Sequence, residues 1–273
     1  MVLSPRLSAY ALFAYNIIMS TTTNNPSFID RLFKAGSHFG FKKSRRHPTV
    51  VSYLYTTKDG NDIFDLEKVA SSLDAAKEVL VNAGLHGKTV LFVGTKDEVS
   101  KLVKAAAEET ESPYVTNRWI GGMLTNFSEI KKRINRLEAL TNEKESGELE
   151  RKYTKKERVV LGREASKLAF NFFGISKMNK LPDLMLVVDP RHDSIAVAEA
   201  QEKKIPVIAV MGSDCDASKI QYPVVANDSL QSSVVLLLGE LLSAYKEGKS
   251  SFVPAPTESR PRRAPSYTRT ARQ

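Results

Sequence analysis

Cysteine is almost absent from this sequence, since Cys215 is the only one among 273 residues. A single cysteine excludes an internal disulfide framework and a zinc site built from several thiolates. A reducing, intracellular compartment is the simplest setting for such a chain. The remaining composition, with 42% hydrophobic and 26% charged residues, is that of a globular protein with enough chain for one substantial core.

Long hydrophobic runs are also missing. The only early apolar run, residues 7–18, has about twelve residues, whereas a membrane-spanning helix needs about twenty. We therefore expect no membrane partner. The run follows one arginine and lacks a small-residue cleavage pattern, which argues against a signal peptide. We expect residues 1–25 to be a disordered extension, or in part upstream readthrough if translation starts at Met19.

Motifs for bound cofactors and metals are absent as well. The loop after the first strand of the expected main sheet, residues 93–97, reads Val-Gly-Thr-Lys-Asp. This loop matches neither the dinucleotide-binding pattern nor the P-loop pattern. The four histidines are scattered and no paired cysteines occur, so surface or capping roles are favoured over metal ligation. The sequence therefore predicts no cofactor and no metal.

Positive charge is present in excess and is unevenly distributed. The formal net charge is +9, with +6 in residues 1–47, +7 in residues 118–180 and +5 in residues 249–273. The rest of the chain carries −9, so an acidic body has three basic extensions. This layout favours a nucleic-acid partner, because each Lys or Arg that contacts a phosphate releases counterions. The alternative is a basic surface that serves only solubility.

Short Val/Ile/Leu runs alternate with helical patterns over most of the chain. This pattern predicts an α/β fold, a doubly wound parallel sheet of about five strands covered by helices. The expected strands and helices are Thr89–Val93, Val99–Glu109, Pro113–Val115, Leu184–Val188, Ser194–Glu202, Ile205–Val210 and Leu230–Tyr245.

The segment before this body has patterns of its own. We expect a short helix at Ser27–Ala35, a loop over residues 36–41, and β-structure at Val50–Thr56 and Ile63–Phe64. The Asp59-Gly60 pair between these two β-rich runs predicts a hairpin turn. A helix should follow from Asp65, with its apolar face formed by Val69, Leu73, Ala76 and Leu80.

Residues 126–173 interrupt the α/β pattern. Ile130, Ile134 and Leu137 form a narrow apolar seam, the other positions are densely charged, and Ser146-Gly147 breaks the helix. Two helices of about eighteen to twenty residues would project roughly 27–30 Å. We expect a protruding helical coiled-coil hairpin, inserted between the two parts of the globular body, 26–125 and 174–248. Residues 249–273 contain four Pro and five Arg and are expected to be a disordered basic tail.

The candidate site residues are cations beside aromatic or helical segments. A compact basic loop is flanked by Phe39, Phe41 and Tyr53, which suits RNA. The candidates for RNA or partner binding are Lys42, Lys43, Arg45, Arg46, His47, Arg118, Lys131, Lys132, Arg133 and Arg136. Some hairpin charges should instead form intrahelical pairs, for example Glu129 with Arg133. Beside Arg118, a structural motif is expected: Trp119 anchors the base of the hairpin, and Gly121 and Gly122 permit a sharp turn.

An enzyme is the alternative hypothesis. Asp189, Asp193, Asp214 and Asp216 follow predicted strands, so they should lie at the carboxyl edge of the sheet. Carboxylates there could hold Mg²⁺ for phosphoryl transfer or signalling. The competing interpretation makes Asp189-Pro190 a turn, Asp193 a helix cap, and the other two part of a polar loop.

Several motifs follow one another in a fixed order along the chain. The most specific block reads Asn-Arg-Trp-Ile-Gly-Gly-Met-Leu-Thr-Asn-Phe at residues 117–127. Further blocks lie at residues 35–40, 61–66, 90–96, 155–157, 174–175, 178, 181–183, 187–190, 205–209, 215–216 and 227–228. Together these blocks cover about residues 27–245 and resemble the bacterial-type small-subunit ribosomal protein S2 family. Val225-Ala226 and Asp97 depart from the family pattern.

The resemblance implies a flavodoxin-like parallel sheet with a helical coiled-coil protrusion inserted after the Arg-Trp block. It implies a structural constituent of the small ribosomal subunit that acts in translation, with no enzymatic activity and no cofactor. The implied partners are small-subunit rRNA, neighbouring small-subunit ribosomal proteins and the large mRNA-binding protein S1. The implied location is the ribosome, in the cytoplasm, and an organellar ribosome stays open.

Overall fold

The computed structural model describes residues 27–252 of the chain. The predictions for residues 1–25, and for most of the basic tail at 249–273, concern residues outside this range. Lys249 and Ser250, which were expected in the disordered tail, instead form the end of the helix Gln231–Ser250. No helix within 27–252 is both long enough and apolar enough to cross a bilayer.

The chain begins with a short helix and a small antiparallel sheet. Helix α1, Phe28–Lys34, starts with a capping box in which Ser27 and Asp30 each accept a backbone hydrogen bond from the other. The strands of this sheet are β1, Phe39–Lys42; β2, Leu54–Lys58; and β3, Asn61–Phe64. Strand β3 lies between β1 and β2, and Asp59 and Gly60, both with positive φ, form the predicted turn between β2 and β3.

Two expectations in this region were wrong. Residues 39–41 were expected in a loop but belong to β1, whose pairing with β3 is a nonlocal contact. Residues 50–53 were expected in a strand but belong to the 3-10 segment Pro48–Tyr53. Proline at the first position and the side chain of His47 as the cap favour a helical turn there, and this overrides the β-propensity of the valines.

A five-stranded parallel sheet forms the core, as the sequence predicts. The strands lie in the order β5-β4-β6-β7-β8, which is the flavodoxin-like order 2-1-3-4-5. Every residue of β4, β6 and β7 is buried. The strands are β4, Val90–Val93; β5, Tyr114–Val115; β6, Leu184–Val188; β7, Val207–Met211; and β8, Tyr222–Val225. The sequence pattern missed β8, which contains Pro223, a residue that an edge strand tolerates.

Seven helices follow α1 in the described part of the chain. They are α2, Leu66–Leu85; α3, Asp97–Glu109; α4, Phe127–Glu145; α5, Glu148–Lys152; α6, Lys155–Phe172; α7, Ser194–Glu202; and α8, Gln231–Ser250. The predicted apolar face of α2 is fully buried. Helix α2 packs closely on α8, because Gly84 faces the backbone of Gly248 and Lys249.

The helices between residues 127 and 172 contact one another. Ile130, Ile134 and Leu137 are buried in α4, as their spacing predicts. The helix ends at Glu145, next to the predicted break, and Gly147 has a φ of 73°. Helix α6 then begins with a second capping box, formed by Thr154 and Glu157.

Candidate nucleic-acid interface

The basic loop, residues 42–47, is fastened to the loop that follows β7. The backbone N–H of His47 donates to the Ser213 carbonyl at 2.8 Å, and the N–H of Phe41 donates to the Ser213 hydroxyl at 2.9 Å. The N–H of Lys43 donates to the Gly60 carbonyl at 2.9 Å. The two bonds to Ser213 hold the loop against the carboxyl edge of the main sheet, and the bond to Gly60 ties it to the turn between β2 and β3. The fold therefore holds the basic loop in place through hydrogen bonds.

The cations of this loop divide into two kinds. Arg46 is half-buried and lies 3.3 Å from the fully buried carboxylate of Asp62. Arg45 lies over the Phe41 ring, 4.9 Å from its centroid, and its guanidinium is 3.8 Å from Asp214. Lys42 and Lys43, in contrast, are exposed and have no ion-pair partner within residues 27–252. The two lysines thus have the charges that are most available to a polyanion.

His47 has an internal role in addition to its place in the basic loop. Its ring Nδ1 lies 2.8 Å from the Thr49 hydroxyl and 3.8 Å from the Asp216 carboxylate. The same nitrogen accepts from the Thr49 N–H, which caps the 3-10 segment. The ring therefore orders the end of the loop, and its contact with RNA stays a prediction.

The candidate cations on α4 differ in what they contact. Lys131 donates to Asn179 Oδ1 at 3.0 Å, and Arg136 lies 3.4 Å from Glu164 of α6. The expected pair of Glu129 with Arg133 is wrong: Glu129 contacts Lys132 at 2.6 Å, since residues three apart are neighbours on a helix as well. Arg133 and Arg118 are exposed, and neither has an ion-pair partner within residues 27–252. Among residues 27–252, no hydrogen bond or ion pair joins α4 to the basic loop.

The Trp119 block is organised by a glutamate that the sequence analysis missed. The buried carboxylate of Glu199 accepts from Trp119 Nε1 at 3.1 Å and from the N–H of Gly122 at 2.8 Å. It also accepts from the N–H of Leu124 at 2.9 Å and from both the N–H and the hydroxyl of Thr125. Burial alone would raise the pKa of Glu199, but the Trp119 and backbone donors outweigh burial and hold the pKa below its usual range.

A signal for Glu199 does exist in the sequence. It is an acid on the face of α7 that also carries the buried Ala196 and Ala200. A carboxylate at such a position requires several donors, because an unpaired buried charge is very costly. Gly122, with a φ of 89°, turns the chain so that its own N–H reaches this carboxylate, whereas Gly121 is in open space.

The four aspartates of the enzyme hypothesis do not share one site. Asp193 is at the N-cap position of α7 without capping it, because its carboxylate accepts from the N–H and the hydroxyl of Thr95. Asp189 lies in a turn and accepts from the His192 N–H at 3.1 Å. Asp214 contacts Arg191, and Asp216 accepts from Ser218. Each carboxylate therefore has a local partner of its own.

A buried acid, Asp228, completes this edge of the sheet. Burial, with Asp189 nearby, raises the pKa of Asp228 to about 6, and burial raises that of the Cys215 thiol as well. Donor atoms of Asp189, Cys215 and Asp228 lie within 4.8 Å of one another. The ammonium of Lys96 lies 3.2 Å from Asp189. Burial lowers the pKa of Lys96, but Asp228 and Asp189 outweigh burial and raise the pKa, so Lys96 is the cation that balances these acids.

These features define a class of protein: a parallel α/β domain with a long helical segment between its strands and with exposed cations near the sheet edge. Within that class, the chain belongs to the ribosomal protein S2 family, whose sequence model matches residues 32–248.

Individual relatives agree with this assignment. The chain is similar to small ribosomal subunit protein uS2 of Petrotoga mobilis, with 40% identity over 82% of this chain and 77% of the relative. The corresponding figures for uS2 of Wolinella succinogenes are 39% identity over 80% of each chain. Small ribosomal subunit protein uS2c of Emiliania huxleyi is 36% identical over 82% of this chain and 97% of the relative. The chain is therefore similar to small-subunit ribosomal proteins over most of its length.

Proposed function

We propose that this protein is a non-enzymatic, structural constituent of the small ribosomal subunit that binds small-subunit rRNA and neighbouring ribosomal proteins. The observation that carries the proposal is the family match over residues 32–248, with relatives that are themselves small-subunit proteins. The exposed cations support an RNA partner, because phosphate contacts by Lys and Arg provide most of the sequence-independent affinity for nucleic acid.

Lys42 and Lys43 are the main RNA contacts in this proposal. Arg45 and Arg46 support them by holding the loop on Asp214 and Asp62, while both retain N–H groups for a phosphate. A second set of contacts, to RNA or to protein, comes from Arg118 and the α4 cations Lys131, Lys132, Arg133 and Arg136.

The second set lies on helices that we propose to form a protruding hairpin between the two parts of the globular body, 26–125 and 174–248. The narrow seam of Ile130, Ile134 and Leu137 and the charged outer positions support a hairpin. Helix α4 has 19 residues, which corresponds to about 28 Å. By resemblance, the protein would also contact neighbouring small-subunit proteins, among them the large mRNA-binding protein S1.

Phosphoryl transfer is the less supported function. A Mg²⁺ site needs several oxygen ligands that converge on one ion. At this edge Asp189 pairs with Lys96, Asp193 accepts a hydrogen bond from Thr95, and Asp214 pairs with Arg191. Each of these three carboxylates therefore already has an internal partner. The same edge therefore serves as a support for the basic loop.

Co-sedimentation on a sucrose gradient at low Mg²⁺, with the ribosomal subunits dissociated, tests the proposal. We expect the tagged full chain to sediment with the small subunit, and Lys42→Ala/Lys43→Ala to weaken that association. The matched control is Lys88→Ala/Lys180→Ala, which removes the same charge from exposed lysines at the opposite edge of the sheet, before β4 and β6.

The salt dependence of the affinity for the small subunit distinguishes phosphate contacts made by the basic loop from contacts made elsewhere on the protein. Losing two phosphate contacts should reduce the slope of log affinity against log salt by roughly 1.4 to 1.8. If the loop variant and the control behave alike, the main contact lies elsewhere, on α4 or outside the described residues. A protein that stays at the top of the gradient would refute the ribosomal function.

A further inference from the structure

Two phenylalanines are exposed to solvent, Phe170 in the last turn of α6 and Phe173 directly after this helix. Phe170 is 61% exposed and Phe173 is 64% exposed, although aromatic rings contribute most when they are buried. Both rings line a cleft of about 340 Å³ together with Tyr114 and Asn117. This volume lies within the roughly 300–1,000 Å³ that small-molecule sites occupy. An exposed aromatic pair beside a cleft indicates a binding surface.

The cleft is built on rigid elements. Gly174 contacts the carbonyl and the ring of Tyr114 so closely that a Cβ at this position would overlap them. The side-chain amide of Asn117 donates to the Phe170 carbonyl at 2.6 Å. The end of α6 is thereby fixed against strand β5, and the two rings have a fixed base before any partner arrives. This preorganisation lowers the entropic cost of binding.

The surface beside the rings is positively charged. Arg163 and Lys167 precede Phe170 by seven and three residues, so all three lie along one side of α6. Arg118 directly follows Asn117, which lines the cleft. All three cations are exposed, and none has an ion-pair partner within residues 27–252.

Two acids on the helices that contribute to this surface, Glu164 and Glu108, are already paired. Glu164 contacts Arg136 of α4 at 3.4 Å. Glu108 accepts from the Tyr114 hydroxyl at 3.3 Å and lies 3.8 Å from Lys104. The unpaired charges beside the cleft are therefore positive. They favour a negatively charged partner over a protein surface that has few acidic residues.

We propose that this cleft binds an unstacked nucleotide of single-stranded RNA. The base would stack on Phe170 or Phe173, its polar edge would meet the amides of Asn117 and Asn171, and its phosphates would contact Arg163 and Lys167. Aromatic stacking beside cations is the general mode of single-strand recognition. This inference rests on the proposed function and extends it to a surface other than the basic loop and α4.

Binding of the full chain to fluorescently labelled 12-nucleotide oligouridylate and oligoadenylate, followed by anisotropy at low salt, tests the proposal. Phe170→Ala/Phe173→Ala should weaken binding by roughly five- to hundredfold per stacked base. The slope of affinity against salt should not change, because no phosphate contact is lost. The matched control is Phe33→Ala, which removes a ring that is 60% exposed on α1. Thermal unfolding should show that all variants remain folded.

Two further variants distinguish stacking from simple apolar contact and from charge. Phe170→Tyr/Phe173→Tyr should keep the affinity, whereas Phe170→Leu/Phe173→Leu should lose it, since leucine is apolar but cannot stack. Arg163→Ala/Lys167→Ala should reduce the salt slope by about 1.4, because single strands contribute about 0.7 per phosphate.

Three outcomes would overturn the inference. Leucine variants that bind oligonucleotides like the wild type would show that stacking is not used. Alanine variants that keep oligonucleotide affinity but lose the small subunit would assign the cleft to a protein partner. A wild-type chain that sediments with the small subunit yet binds no oligonucleotide would remove this site and leave the proposed function intact.

Discussion

Replacing Glu199 by glutamine should destabilise the fold strongly, although the two side chains have nearly the same shape. Each carboxylate oxygen of Glu199 accepts at least two hydrogen bonds, from Trp119 and Gly122 on one side and from Leu124 and Thr125 on the other. An amide has only one oxygen, and its NH₂ group is a donor. In either orientation of the glutamine amide, its NH₂ group therefore faces at least two N–H donors that it cannot accept from.

The magnitude follows from the number of bonds lost. In the better orientation the NH₂ group faces Trp119 Nε1 and the Gly122 N–H, so two bonds to a charged acceptor are lost. Hydrogen bonds to charged groups contribute about 1.5–3 kcal/mol each, so the expected loss is roughly 3–6 kcal/mol. This is a large part of the 5–15 kcal/mol that typically stabilises a domain.

Urea unfolding at pH 7 measures this loss, with Glu202→Gln, an exposed position at the end of the same helix, as the control. Because folding lowers the pKa of Glu199, its contribution is complete above the unfolded pKa of about 4.3 and disappears as pH falls through the folded pKa. The difference between variant and wild type should therefore shrink in acid. A Glu199→Gln protein within about 1 kcal/mol of the wild type at pH 7 would refute the reasoning.

Two further changes test packing and burial. Gly84→Ala should cost about 1–3 kcal/mol in thermal unfolding, because its Cβ would lie 2.6 Å from the backbone N of Lys249, whereas Gly162→Ala, in open space, should not destabilise. The Asp228 carboxyl should by itself lower the free energy of unfolding by about 3 kcal/mol as pH rises from 4 to 6, because burial raises its pKa from about 3.9 in the unfolded chain to about 6 in the folded chain. Urea titrations at several pH values should show that Asp228→Asn lacks this fall, whereas Asp74→Asn, at an exposed position, keeps it. If the free energy of unfolding depended on pH equally in both variants, the pKa argument for Asp228 would be contradicted.

The sequence predicts the elements whose signal is local. Strands β4, β6 and β7 are continuous apolar runs, and α2 repeats its apolar residues at the helical period, so each pattern is readable within its own segment. Strand β1 depends on pairing with β3, which lies some twenty residues later, and β8 contains a proline that argues against a strand. These two were missed because tertiary contacts, and not propensity, order them.

The candidate site is predictable only in part for the same reason. The sequence shows that the cations of the basic loop form a cluster. It does not show that Arg46 pairs with the buried Asp62. The hydrogen bonds of Glu199 connect residues 74 to 80 positions apart. The sequence equally fails to show that Phe170 and Phe173 are exposed, since the buried Phe172 lies between them in the same short stretch. Pairing and exposure are properties of the fold.

In the proposed function, the carboxyl edge of the main sheet is a scaffold for the basic loop, and the contacts at this edge argue against the enzyme hypothesis. Open α/β sheets usually bind ligands at this edge because loop side chains there converge on an open crevice. In this protein the loop after β7 accepts a hydrogen bond from the backbone N–H of His47 and forms an ion pair with Arg45. At the same edge, Lys96 forms an ion pair with Asp189. Freeing one of these acids for catalysis would leave a cation or a backbone donor without its partner, at a cost of about 1–3 kcal/mol or more. The edge is therefore stabilised as a base for the basic loop, and a catalytic use would work against the contacts that hold that loop in place.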